Sequence, residues 1–132
     1  SLQKGDRAPF FKGLNQAGKE ISLDDYKGKK LILYFYPKDN TSGCTAEACS
    51  LNENYDTLTS QGYEVVGVSP DSASSHQKFI TKYNLSFNLI ADTEKAILQD
   101  YGVWGENPCM DVSIWAYSGL LSSSTKKESS KK

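Results

Sequence analysis

Six consecutive residues, Leu31-Ile32-Leu33-Tyr34-Phe35-Tyr36, restrict what this chain can fold into more than any other feature. They are apolar on both alternating faces, a pattern that suits a strand only when both faces are covered. The run reads as the central strand of a sheet with helices on each side, and Pro37 stops it. It is also the longest apolar run, far short of the ~20 residues a membrane helix needs. Tyr63 to Val68 reads as a second buried strand, and Asn88 to Ala91 as a third, shorter one.

Helical patterns fall between these strands. Ala48, Leu51, Tyr55 and Leu58 recur at helical spacing, which predicts a helix from about Cys44 to Ser60 closed by Gly62. Ser72 is a fair N-cap for a helix whose face carries His76, Phe79, Ile80 and Tyr83. Glu94 to Tyr101 reads as a short helix ended by Gly102, and Pro9 to Leu14 with Glu20 to Leu23 as an N-terminal hairpin. Strands alternating with helices at these lengths give an α/β class with a mixed sheet. With 132 residues the chain is of single-domain size.

Charge excludes some functions. Fifteen Lys and Arg against sixteen Asp and Glu leave a formal charge of −1, so there is no basic field for nucleic acid or an anionic membrane. The N-terminal residues lack the apolar core of a signal peptide, which makes the cytoplasm the expected compartment. Three cysteines are too few for a disulfide scaffold, and with one histidine they do not make a structural zinc site. Asp24, Asp25 and Asp39 read as isolated turn carboxylates without a metal pattern. His76 reads as a surface or packing histidine, and Tyr101 and Trp104 as packing aromatics.

Cys44 and Cys49 carry the chemistry. Cys44 follows a strand, a proline, a polar loop and Gly43, and it opens a helix. The unpaired N–H groups and positive dipole end of a helix start favour thiolate over thiol. Thr41, three residues earlier, can hydrogen-bond the sulfur or a bound oxygen. Cys49 lies five residues on. On an intact helix that spacing gives a rise of ~7.5 Å, a rotation of ~500° and a Cα separation of about 8.6 Å. A disulfide wants no more than about 7 Å. Either the first turn unwinds, or the two never bond.

The run Phe35-Tyr36-Pro37-Lys38-Asp39-Asn40-Thr41-Ser42-Gly43-Cys44-Thr45 resembles the active-site motif of peroxiredoxins, P-x-x-x-T-x-x-C. The second cysteine five residues on resembles the Q-type subgroup, also called bacterioferritin comigratory protein. The resemblance runs from Gly5-Asp6-Arg7-Ala8-Pro9-Phe10 to Tyr101-Gly102-Val103-Trp104-Gly105. Ser42 departs from it, where the family commonly has proline. The resemblance implies a thioredoxin-like three-layer fold and a thiol peroxidase. Cys44 would be the peroxidatic cysteine, attacking hydrogen peroxide or an organic hydroperoxide and becoming a sulfenic acid. Cys49 would resolve it to a disulfide, and thioredoxin or a similar dithiol would reduce that. Thr41 would orient sulfur and peroxide, and Pro37 would shield the pocket. No metal, haem or flavin is implied, and a monomer or weak homodimer is expected.

Two features do not fit. The family holds the thiolate and peroxide with an arginine from a late strand, whereas this chain has only Arg7, near its start. From Asn107 the resemblance stops. Residues 1–107 read as an incomplete peroxiredoxin domain, and 108–132 as a tail outside it. Ser118 to Lys132, almost wholly Ser, Lys, Gly, Leu and Thr, carries no period and reads as disordered. The last two strands and last helix are therefore expected to be missing or altered, leaving the central strand with an open edge. Back-translation suggests an origin. With suitable synonymous codons, Cys109 to Lys132 read in a shifted frame encode YGREYMGVLRTTFLIDEKGVIKK, which resembles the family's continuation, arginine included. The tail is thus read as out of frame. Two rivals to a peroxidase remain. One is a catalytically impaired thioredoxin-like module or fragment that acts by binding. The other is a dithiol reductase, which the C-x₄-C spacing disfavours against C-x-x-C.

Overall fold

In the computed structural model the Leu31–Tyr36 run divides its side chains between two cores. Leu31, Leu33 and Phe35 enter one cluster with Ala8, Phe11, Ile21, Val66, Val68, Ile90, Ile97 and Leu98. Tyr34 and Tyr36 enter the other with Cys44, Ala48, Val65, Phe79 and Leu89. The structure describes residues 2–103, 109–115 and 119–127, so Trp104 lies outside the described residues.

In chain order, β1 (Lys12–Leu14) and β2 (Glu20–Ser22) pair as an antiparallel hairpin narrower than expected, followed by a 3-10 turn at Leu23–Tyr26. Then come β3 (Lys30–Phe35), α1 (Ser42–Glu53), α2 (Tyr55–Ser60), β4 (Tyr63–Ser69) and α3 (Ala73–Tyr83). They are followed by β5 (Asn88–Ala91), α4 (Ala96–Asp100), β6 (Cys109–Trp115) and β7 (Leu120–Lys127). The main sheet has the order β5-β4-β3-β6-β7. The pairs β3/β4 and β4/β5 are parallel, while β3/β6 and β6/β7 are antiparallel. With a helical layer and a core on each face, this is the three-layer mixed α/β architecture expected.

The helix expected from Cys44 to Ser60 is two helices. Asn54 breaks it with φ −98° and ψ 9°. Its side chain donates to the Ser50 carbonyl at 2.9 Å, competing locally with helical bonding. Ser72 caps α3 as read, its hydroxyl accepting from Ser75 N–H at 3.1 Å. The helix read from Glu94 starts only at Ala96, because Lys95 has left-handed φ (63°).

The tail departs most from the sequence reading. Met110–Trp115 of β6 pairs with the whole of β3, and Leu120–Lys127 pairs with β6. These segments are strands rather than disordered chain, and β3 has no open edge. The driving force is backbone hydrogen bonding, since a buried strand edge left unpaired is expensive. The outer strands are covered too. Gly5 N–H donates to Leu121 O, and Leu121 N–H to Asp6 O, at 2.9 and 2.8 Å. Asn15 bridges to Ile90 on the far edge.

Candidate active site

Tyr36 extends the pairing of β3, its N–H donating to Val68 O at 3.1 Å. Pro37 then ends the strand, and a short loop leads to Thr41, the N-cap of α1, in extended conformation (φ −95°, ψ 148°). The Thr41 carbonyl accepts the first helical bond, from Thr45 N–H at 2.7 Å. Its hydroxyl donates to Lys38 O at 3.1 Å and makes no cap bond. Ser42 is the first helical residue, a position that also suits the family's proline. Cys44 is the third, so it sits within the first turn, where N–H groups lack helical partners. It is 3% exposed. The Tyr34 hydroxyl donates to its carbonyl, tying this turn to the sheet.

Cys44 is disulfide-bonded in this structure, whereas Cys49 is a free, half-buried thiol. The two are not joined to each other, and α1 runs unbroken through both.

A polar network underlies the loop. Asp39, read from the sequence as an isolated turn carboxylate, is buried. Its Oδ1 accepts from the Tyr36 hydroxyl at 2.7 Å. Its Oδ2 accepts from the Ser75 hydroxyl at 2.7 Å and lies 2.8 Å from His76 Nδ1. Its backbone N–H donates to Asp71 Oδ2 at 2.6 Å. Burial alone would push the Asp39 carboxyl up. The hydrogen bonds from His76, Tyr36 and Ser75, with the charge of His76, outweigh burial and hold it below its ordinary value. Burial, then the charge and hydrogen bond of Asp39, push the Tyr36 phenol far up, so it stays a donor. His76 is completely buried. Asp39, Asp71 and His76 offer ligand atoms within 4.8 Å of one another. Hydrogen bonds within the protein already occupy the groups a cation would need.

Of the residues singled out in the sequence, Pro37, Thr41 and Cys44 come together along one loop and helix start. Cys49 lies further along the same helix. Arg7 is exposed on the segment that bridges to Leu120 of β7. Tyr101 packs as expected, 5.2 Å from Phe35, with its hydroxyl donating to Pro9 O at 2.6 Å. Sequence reasoning missed Asp39, Tyr34 and Tyr36 as structural partners of the loop. One available signal was a histidine three residues before Phe79 on an otherwise apolar helix face.

A cysteine in the first turn of the helix that follows the central strand and its loop is placed as the reactive cysteines of thiol-redox proteins are. The sequence matches the AhpC/TSA family over residues 4–124, and the chain belongs to that family. It is 48% identical over 103 residues to a putative peroxiredoxin bcp of Coxiella burnetii, covering 78% of this chain and 68% of the relative. It is 39% identical over 109 residues to peroxiredoxin Bcp of Escherichia coli, covering 83% and 70%. Among solved structures, a cysteine-to-serine variant of PrxQ from Xylella fastidiosa superposes with a TM-score of 0.89 at 25% identity, covering 96% of this chain and 86% of that one. The fold is thus the thioredoxin-like one of peroxiredoxins. The family match runs past Asn107, where the sequence reading ended the resemblance.

Proposed function

We propose that this peroxiredoxin-family thiol peroxidase uses Cys44 as its peroxidatic cysteine and Cys49 as its resolving one. In the reduced protein the Cys44 thiolate attacks one oxygen of H–O–O–H or R–O–O–H. The O–O bond breaks, Cys44 becomes a sulfenic acid, and the leaving oxygen takes a proton to give water or an alcohol. The Cys49 thiol then displaces that hydroxyl as water, forming a disulfide. A thioredoxin-type dithiol reduces it by exchange, becoming a disulfide itself. Thr41 orients sulfur and peroxide, and Pro37 shields them. The observation that carries the reading is Cys44 in the first turn of α1, directly after the strand–proline–loop unit.

Peroxide consumption with a dithiol reductant tests it. Cys44→Ser should abolish turnover. With both Cys49 and Cys109 replaced by Ser, Cys44 should still react once, leaving a sulfenic acid that dimedone traps. Turnover surviving Cys44→Ser would overturn the assignment. The cytoplasm, with its dithiol reductants, is the compartment that suits this cycle, and a monomer or weak homodimer is the assembly proposed.

The tail belongs to the same proposal. Its shifted reading restores an arginine and an alternating strand, and Arg7 does not occupy the family's catalytic place. We therefore read residues 109–132 as out of frame and expect this chain to react with peroxide more slowly than an in-frame one. Sequencing the gene decides the frame: a single-base change must restore the shifted string, or the reading is wrong.

A further inference from the structure

His76 Nδ1 lies 2.8 Å from Asp39 Oδ2, and Nε2 lies 2.9 Å from the Ile90 carbonyl. Both partners are acceptors, and a neutral imidazole has a single N–H. The ring bridges the two, its Nδ1 against the buried Asp39 carboxylate and its Nε2 against the Ile90 carbonyl. The other groups facing it are the Asp71 carboxylate from the turn after β4, the Tyr36 phenol from the end of β3 and the Ser75 hydroxyl of its own helix. The Asp39 carboxylate collects donors from the end of β3 and from α3, while its N–H is held by Asp71. Asn40 follows in the left-handed conformation (φ 63°), its side chain accepting from the Tyr83 hydroxyl at 2.9 Å. Thr41, next in line, occupies the N-cap position of α1. The loop leading into Cys44 is thus fastened at consecutive residues to the sheet and to α3.

We propose that His76 is a positioning residue for the peroxide reaction. Its ring is pinned between Ile90 O and Asp39, and it holds Asp39, and through it the Pro37–Thr41 loop, in the geometry that presents a peroxide to Cys44. It makes and breaks no bond. The inference rests on Cys44 being the peroxidatic cysteine, and its force comes from the steepness of geometric demands. A misplacement of ~1 Å at a reacting centre can lower a rate by about 10²-fold. Thiolate alkylation does not require an oriented O–O bond.

The test compares two second-order rate constants on fully reduced full-length protein, with hydrogen peroxide and with iodoacetamide. Wild type must react with peroxide at Cys44; if it does not, the underlying assignment fails, not this inference alone. His76→Leu is expected to slow the peroxide reaction at least about tenfold while alkylation stays within about threefold. His76→Asn keeps a donor toward Asp39 and should return the peroxide rate to within about threefold of wild type. If His76→Leu does not fold by circular dichroism, Ser75→Ala removes one donor from the same carboxylate oxygen. It should slow peroxide about threefold with alkylation unchanged. An unchanged peroxide rate, equal losses with both reagents, or no recovery with His76→Asn would overturn the proposal.

Discussion

If Cys49 resolves Cys44, the first half of α1 must open, and loosening that helix must speed the step. The helix is continuous from Ser42 to Glu53, which puts the two Cα atoms about 8.6 Å apart. A disulfide needs no more than about 7 Å. Opening breaks the 2.7 Å bond from Thr45 N–H to Thr41 O and displaces the Cys44 carbonyl from the Tyr34 hydroxyl. Ala46 lies between the cysteines and is exposed, so its replacement removes no packing. Ala46→Gly weakens the helix by about 1 kcal/mol. With 1.36 kcal/mol per tenfold, that raises the opened population, and the closure rate, about fivefold. The assay pulses fully reduced protein with one equivalent of hydrogen peroxide, adds dimedone at increasing delays and weighs the adduct by mass spectrometry. The trapped sulfenic acid should decay about five times faster in Ala46→Gly than in wild type. Decay at an unchanged or lower rate would refute helix opening as the limiting event.

Two further perturbations test the scaffold. A Cβ on Gly67 would lie 2.5 Å from Leu89 Cδ2 and 3.4 Å from Tyr36 Cε1, both on buried side chains. Gly67→Ala should therefore lower stability by about 1–3 kcal/mol in urea unfolding, and an unchanged midpoint would contradict the packing described. The Asp39 carboxyl is held below its ordinary value of 3.8. Its contribution is thus fully present above that value and is lost as pH falls through the lower, folded-state value. The stability difference between wild type and Asp39→Asn should shrink on acidification below about pH 4, and a difference independent of pH would contradict it.

The parts legible in the sequence were those encoded by neighbours along the chain. Leu31 to Tyr36 announces a strand buried on both faces, and Ser72 announces its helix. Pro37, Thr41 and Cys44 announce the loop and helix start by type and spacing. The network under the loop was not legible, because Asp39 and His76 lie 37 residues apart and meet only after β3, β4 and α3 assemble. The tail was misread for another reason. Leu-Leu-Ser-Ser-Ser-Thr-Lys-Lys has no alternating apolar pattern, yet it forms β7 because β6 offers it a hydrogen-bonding edge. Strand formation there follows tertiary context rather than side-chain preference. The break at Asn54 is a local competition between a side-chain amide and the helix, and helical periodicity does not register it.

The central claim, that Cys44 performs peroxide chemistry, is tested most directly by the intact mass of the fully reduced chain followed in time after one equivalent of hydrogen peroxide. The account predicts rapid loss of two hydrogens, as sulfenic acid and thiol condense to a disulfide, and no such loss in Cys44→Ser. An unchanged mass over minutes, or the same loss in Cys44→Ser, would contradict it.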